Sequence, residues 1–319
     1  MSDKHRLFRL FGESPLYQLF VSIIIVVGVG LALSLILVAA GIFIFNSNLT
    51  VLEKPAATLS NNDLGFLRYL LIIQDISLLI IPSIIILVMM KPEHSAGFPG
   101  IKKPRLKEVG LVIILTFCIF PVTSFTGQIN SAMHLPDWLT GVEKWMIEKE
   151  DKANYLINLI MTADTFGIMI LNLLIVAALP AIGEELIFRG VFQKIFYNFF
   201  KSGHMAIWIT AFIFSTLHFQ FFGFVPRFIL GLVFGYLFFW SRTLWLPVIS
   251  HFVNNAVPVI LAYIEGLEKL SRPSDIPLWQ QAIFLPLPVT IILVILFYFR
   301  NKSYNRNANL NSLTSQEPF

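Results

Sequence analysis

Long apolar segments recur along this chain and restrict its fold more than any other feature of the sequence. The first, Leu16–Phe45, contains no charged residue, and about 20 apolar residues in a helix cross the hydrocarbon core of a bilayer. We predict eight spans: Leu16–Phe45, Phe66–Met90, Val109–Phe125, Phe166–Phe188, Met205–Phe219, Phe224–Trp240, Leu246–Tyr263 and Ile283–Phe299. The expected fold is an all-α, polytopic transmembrane helical bundle of about eight spans.

The composition excludes a soluble domain of this length. Of the 319 residues, 56% are hydrophobic and 13% are charged, whereas soluble domains carry about 25% charged residues. We therefore predict a single membrane domain over residues 16–300, preceded by a cytoplasmic N-terminal segment at 1–15. The polar, Asn- and Ser-rich segment 301–319 is expected to be a disordered cytoplasmic tail.

The basic residues predict how the spans are oriented. If the loops alternate between the two sides, one side holds 15 and the other 8 of the 23 Lys and Arg residues. Cytoplasmic loops are enriched in Lys and Arg, so both termini are predicted to be cytoplasmic. Topology and the lipid bilayer account for the basic charge, and no nucleic-acid partner is expected. A bacterial plasma membrane is the default location.

The loop after the third span contains an amphipathic segment, Trp138–Met161, in which apolar and charged residues alternate at helical spacing. Its Trp and Tyr residues favour the membrane interface. We interpret it as a helix on the outer surface of the membrane. A lid that gates access of a substrate is the alternative.

Three charged residues lie together within the fourth span, where an ionisable side chain is costly and indicates function. Glu185 and Arg189 are four residues apart, so they share one face of the helix and are predicted to pair. Glu184 points about 100° away and has no partner on its own helix. An unpaired carboxylate of this kind can act as a general base. A purely structural charge network between helices is the alternative.

Polar residues in two further spans complete the candidate site. A hairpin between the fourth and fifth spans would place His218 at the same depth as Glu184. In the seventh span, His251 and Asn255 are four residues apart on one face. Two convergent hydrogen-bond donors of this kind can stabilise a developing oxyanion.

Together these segments resemble the CPBP family of intramembrane proteases, which includes the type II CAAX prenyl proteases and the bacteriocin-processing and Abi-type proteins. The family pattern is EExxxR, FxxxH and HxxxN on separate spans. In this sequence the matching residues are Glu184, Glu185 and Arg189, then Phe214 and His218, then His251 and Asn255. The resemblance covers about residues 182–257, and the protease core is placed at about 166–263.

The resemblance implies a role for each motif residue. Glu184 and His218 would activate a water molecule for attack on a peptide carbonyl, and His251 and Asn255 would hold the oxyanion. The glutamate–arginine pair of the first motif would support the site. Glu184, His218 and His251 could also bind zinc with an open position for water. A metal-free mechanism is favoured because the sequence shows no carboxylate partner for either histidine.

The predicted function is therefore an intramembrane endopeptidase that hydrolyses membrane-associated, prenylated or leader-type peptides with an activated water. The alternative is a non-catalytic membrane immunity or scaffold protein that uses the same residues as a polar packing core. A small transporter is the least supported class because the sequence shows no internal repeat.

Overall fold

A computed structural model describes residues 14–90, 103–266 and 276–314, with side chains through residue 305. Within this part of the chain there is no strand, which confirms the all-α class. The helices are α1 Pro15–Phe45, α2 Asn61–Met89, α3 Leu106–Ser131, α4 Thr140–Met161, α5 Phe166–Phe200, α6 Gly203–Thr216, α7 Phe224–Ser241, α8 Trp245–Glu265, α9 Leu278–Phe284 and α10 Pro286–Thr314. The predicted N-terminal segment lies almost wholly outside the described residues.

The helices confirm the predicted membrane-spanning bundle, for which the predicted number of about eight spans is approximate. Among the described residues, six helices are long and apolar enough to cross a bilayer, and α9 with α10, bent by 40°, would make a seventh. Helix α6 is apolar but has 14 residues. Helix α10 continues to Thr314, so residues 301–314 are helical where the sequence predicts a disordered tail.

Large apolar side chains cover the outer surface of the bundle. Leu35 on α1 is 72% exposed, and Phe43 and Val88 are similarly exposed on α1 and α2. Soluble proteins rarely expose continuous apolar surfaces of this kind. These faces are suited to contact lipid tails.

The amphipathic segment forms helix α4, which contacts the loops at one end of the bundle. The hydroxyl of Tyr155 donates to the backbone carbonyl of Lys54 at 2.9 Å. Arg68, in the first half of α2, donates to the carbonyl of Thr162 at 3.3 Å. We refer to the end of the bundle that carries Thr140–Met161 as the α4 end.

Three stretches of π-helix interrupt the spans around the candidate site. They are Asp75–Ile80 in α2, and Leu173–Ala178 and Leu186–Phe192 in α5. Pro82 and Pro180 follow shortly after the first two. A proline cannot donate the helical hydrogen bond of its own turn, and a π-bulge is a common way to absorb such a defect, often at functional sites.

Helices α6 and α7 pack closely because glycines line their contact. A Cβ atom on Gly231 would lie 2.9 Å from the Cβ of Ala211, and one on Gly235 would lie 2.8 Å from a methyl group of Ile207. Small residues four apart allow this approach of two membrane helices. The close contact sets the position of α6, whose C-terminal end leads to His218.

We expect Gly231→Ala to destabilise the bundle, because the added methyl group meets Ala211 on a helix that cannot move away easily. Overpacking of this kind costs about 1–3 kcal/mol. Thermal unfolding in detergent should show a lower Tm than the wild type. Gly110→Ala is the matched control, since nothing lies within 4 Å of the added atom. Equal Tm values for the two variants would contradict the tight contact.

Candidate active site

The structure brings together the polar residues of the three motif-bearing segments. Glu185 and Arg189 of α5 are fully buried, and His251 of α8 is 5% exposed. His218 follows the C-terminal end of α6 and interacts electrostatically with both Glu184 and His251. The predicted site residues from distant segments are therefore neighbours in the fold.

A hydrogen-bonded chain joins α5 to α8. Glu185 Oε1 accepts a hydrogen bond from Arg189 Nη1 at 2.8 Å, which confirms the predicted ion pair. The same oxygen lies 2.9 Å from His251 Nδ1. A carboxylate of this kind fixes both the orientation and the tautomer of an imidazole. Arg189, Glu185 and His251 thus form one connected unit.

The buried guanidinium of Arg189 is stabilised by several neighbours. Its Nη2 donates to the backbone carbonyl of Gly231 at 3.2 Å. Its Cζ lies 5.0 Å from the ring centroid of Phe214 and 5.6 Å from that of Phe234. Aromatic faces attract cations at this distance. These contacts offset part of the cost of burying the charge.

Glu184 has different surroundings from its neighbour in the sequence. Its side chain is 16% exposed, and its Oε2 atom lies 3.7 Å from His251 Nε2. This Oε2 atom is buried without a hydrogen-bond partner. Because His251 Nδ1–H donates a hydrogen bond to Glu185, the Nε2 atom of a neutral imidazole is an acceptor. Glu184 Oε2 is also an acceptor, so a hydrogen-bond donor such as water would fit between these two atoms.

The backbone holds His218 at the end of α6. Its Nδ1 lies 2.7 Å from the carbonyl oxygen of Phe214 and donates to it, since a carbonyl can only accept. The next residue, Phe219, adopts the left-handed conformation with φ 52°, which is unfavourable for a bulky side chain. The chain therefore turns directly after His218, which lies two residues beyond the last residue of α6, Thr216. The Nε2 atom of a neutral His218 is left as an acceptor.

Asn255 lies one turn beyond His251 on α8. Its Nδ2 donates to the carbonyl of Val176 at 3.4 Å, and its Oδ1 accepts from Asn254 at 3.1 Å. Val176 belongs to the π-helical stretch Leu173–Ala178. The amide is thereby oriented by both helices, and its second N–H can serve another acceptor.

The proposed zinc ligands do not form a metal site in this structure. Among the described residues, no three His, Cys, Asp or Glu side chains are grouped to hold a metal ion. The set of Glu184, His218 and His251 as possible zinc ligands stays a prediction. The reason given for the metal-free mechanism was also wrong, because Glu185 is a carboxylate partner of His251. Such partners are typical of metal-ligating histidines.

Two further charged residues lie near the site. Asp75 is 5% exposed and interacts electrostatically with Glu184. Arg227 interacts with Glu184 and contributes to the electrostatic surroundings of His218. Arg227 is not singled out in the sequence analysis. Its position within a predicted apolar span, where a charge is costly, is the feature that could have identified it.

Comparison with known proteins agrees with the geometry. Residues 166–257 match the family model described as type II CAAX prenyl endopeptidase Rce1-like. The chain is also 28% identical over 90 residues to the uncharacterized protein YpbD of Bacillus subtilis (strain 168), covering 27% of this chain and 43% of that protein. The chain thus matches less than half of this relative's length. No solved structure matches. The predicted family resemblance is confirmed over residues 166–257.

Proposed function

We propose that this chain, which matches the type II CAAX prenyl endopeptidase family over residues 166–257, is an intramembrane endopeptidase. The observation that carries the proposal is the Glu184 carboxylate. It lies within a membrane-spanning helix, and its Oε2 atom has no hydrogen-bond partner but faces His251 at 3.7 Å. An ionisable group in such a position is costly, and function is the ordinary reason for its presence.

In the proposed reaction, Glu184 and His218 activate one water molecule. The water oxygen attacks the carbonyl carbon of the scissile peptide bond, and Glu184 takes the proton that the water loses. The bond between carbon and nitrogen then breaks, and this proton passes to the leaving amine. A positioned carboxylate acts here as base and then as acid.

His251 and Asn255 are suited to stabilise the oxyanion of the tetrahedral intermediate. When protonated, His251 donates through Nε2, and Glu185 stabilises the imidazolium through Nδ1 at 2.9 Å. Asn255 can donate through its remaining N–H. Donors fixed before the reaction stabilise a developing charge effectively. Arg189 holds Glu185 and so acts on the reaction through it.

Unsatisfied polar atoms favour a reaction site over the alternative of a scaffold with a polar packing core. Glu184 Oε2, Glu185 Oε2 and Arg189 Nε are all buried without a hydrogen-bond partner. Polar atoms that serve only packing are normally satisfied. These three unsatisfied atoms lie within one cluster of charged side chains, which supports a reaction site.

The substrates proposed are membrane-associated, prenylated or leader-type peptides. The several apolar helices make the chain a multi-pass membrane protein. Placement in a bacterial plasma membrane with both termini in the cytoplasm is part of the proposal. The proposed function involves no nucleic acid.

The test is cleavage of a pooled peptide and prenyl-peptide library by the full chain in detergent, read by mass spectrometry. We expect wild-type protein to cut a subset of peptides, with no loss in a chelator. His218→Ala should lower the rate about 10²-fold or more. His134→Ala is the matched control, because His134 lies at the α4 end with a 78% exposed side chain.

Two results would overturn parts of the proposal. If chelator stops cleavage and added zinc restores it, the metal-free reaction is wrong. If the wild type cuts no peptide while it remains folded, the scaffold alternative replaces the protease.

A further inference from the structure

The backbone carbonyl of Val176 lacks the donor that an α-helix would give it. It lies in the π-helical stretch Leu173–Ala178 of α5. In an α-helix this oxygen accepts the N–H of the residue four positions later, and that residue is Pro180, which has no N–H. Just before the proline, the N–H of Leu179 donates to the carbonyl of Leu174, five residues back. The Val176 carbonyl is therefore open to a donor from outside its own turn.

Asn255 of α8 supplies this donor. Its Nδ2 atom donates to the carbonyl oxygen of Val176 at 3.4 Å. The side chain of Val176 packs against a buried cluster that contains Val259 and Ala262 of α8, so the two helices touch at this level. Within a membrane, a carbonyl without a donor is costly. The contact therefore stabilises α5 and also fixes one end of the Asn255 amide.

Asn254 holds the opposite end of the same amide. Its Nδ2 atom donates to Asn255 Oδ1 at 3.1 Å. If the Asn255 amide were flipped, its oxygen would face the carbonyl of Val176, and its NH₂ group would face the NH₂ group of Asn254. Two acceptors, or two donors, cannot form a hydrogen bond. Asn255 is thus confined to one orientation, and its second N–H keeps one direction.

We infer that Pro180 and Asn254 are positioning residues for the reaction, and that both act through Asn255. Pro180 leaves the carbonyl of Val176 open to Asn255 Nδ2, and Asn254 fixes Oδ1 of the same amide. Neither side chain is assigned a contact with the reacting atoms. The inference rests on the proposed function, in which the second N–H of Asn255 stabilises the oxyanion.

The effect of this positioning belongs to the transition state. The oxyanion forms only after water attacks the carbonyl carbon, so a displaced Asn255 amide weakens binding of the transition state more than binding of the peptide. Complete loss of one oxyanion donor lowers kcat about 10²- to 10³-fold. Loss of orientation alone leaves the donor present, so a smaller decrease is expected. A proline that only shaped the helix would not act through Asn255.

The test is steady-state cleavage, by the full chain in detergent, of a peptide that the wild-type protein cuts. Pro180→Ala returns an N–H that competes with Asn255 for the Val176 carbonyl. Its kcat should fall about tenfold, while KM changes by less than about twofold. Asn255→Ala should lower kcat about 10²-fold. Adding Pro180→Ala to Asn255→Ala should lower kcat no further, because the group that it positions is gone.

Thermal unfolding of the same proteins measures the contact without cleavage. Asn255→Ala should lower the Tm of the wild type more than it lowers the Tm of Pro180→Ala, because in Pro180→Ala the Val176 carbonyl has a donor of its own. Pro121→Ala is the matched control, since it makes the same replacement inside α3 at an exposed position. It should leave kcat unchanged, and the effect of Asn255→Ala on Tm should be that seen in the wild type.

A wild-type kcat in folded Pro180→Ala would overturn the role of the proline, and so would a decrease that persists in the Asn255→Ala background. Equal effects of Asn255→Ala on the Tm of the wild type and of Pro180→Ala would show that the proline does not open the carbonyl. If Pro180→Ala fails to fold, Asn254→Ala decides the matter. It should lower kcat several-fold only while Asn255 is present, and a wild-type kcat would overturn the inference.

Failure of the proposed function gives a different result. If the folded wild-type protein cuts no peptide, the protease proposal fails and the catalytic role of Pro180 and Asn254 falls with it. The Tm measurements then still decide whether Pro180 opens the Val176 carbonyl to Asn255.

Discussion

Replacing Glu184 with glutamine is expected to lower peptide cleavage about 10²- to 10⁴-fold, the range for loss of a general base. The change keeps the size of the side chain and removes its ability to accept a proton. Substrate affinity should change little, because Glu184 acts on the water and not on the peptide. Single-turnover cleavage with detergent-purified protein, together with peptide binding, separates these two effects.

Glu53→Gln is the control for this prediction, since Glu53 is exposed at the α4 end, far along the chain from the motif residues. It should cleave at the wild-type rate. Full activity of folded Glu184→Gln would remove the central element of the proposed mechanism. It would favour the scaffold alternative, in which this position only packs.

Replacing Arg189 with methionine is expected to destabilise the fold by about 3–5 kcal/mol, because the fully buried Glu185 loses its cation. Methionine fills much of the same volume, so the loss is mainly electrostatic. Thermal unfolding in detergent should show a large decrease in Tm. Arg300→Met is the control, because Arg300 is exposed on α10.

A double variant separates stability from activity. Glu185→Leu combined with Arg189→Met removes both charges, and such replacement of a buried pair is often neutral or stabilising. The double variant should regain most of the lost Tm. It should remain poorly active, because His251 then lacks its acceptor at Nδ1. Recovery of activity together with stability would show that the Glu185–His251 contact is only structural.

Contacts between residues four apart on one helix could be predicted from the sequence. The Glu185–Arg189 pair follows from helical geometry alone, and the apolar segments specify the helices because the bilayer fixes their length. The close packing at Gly231 and Gly235 follows likewise from spacing.

Contacts between different helices were harder to predict from the sequence. The bond from Glu185 to His251 depends on how α5 and α8 are rotated, and the π-helical stretch Leu186–Phe192 alters that rotation by an amount that no periodicity reveals. Arg227 lies near the start of the predicted span Phe224–Trp240, and the sequence does not show which groups it contacts. Its contact with Gln220 and its proximity to Glu184 depend on the turn that precedes α7.

The shortness of α6 affects the bilayer around the site. At about 1.5 Å per residue, its 14 residues cover about 21 Å, whereas a typical hydrocarbon core is about 30 Å thick. The helix therefore ends before it reaches the far interface, with His218 just beyond its last turn. Hydrophobic mismatch of this kind is accommodated by thinning the adjacent lipid. Such a depression would let bulk water reach the proposed hydrolytic site, which would otherwise be surrounded by lipid hydrocarbon.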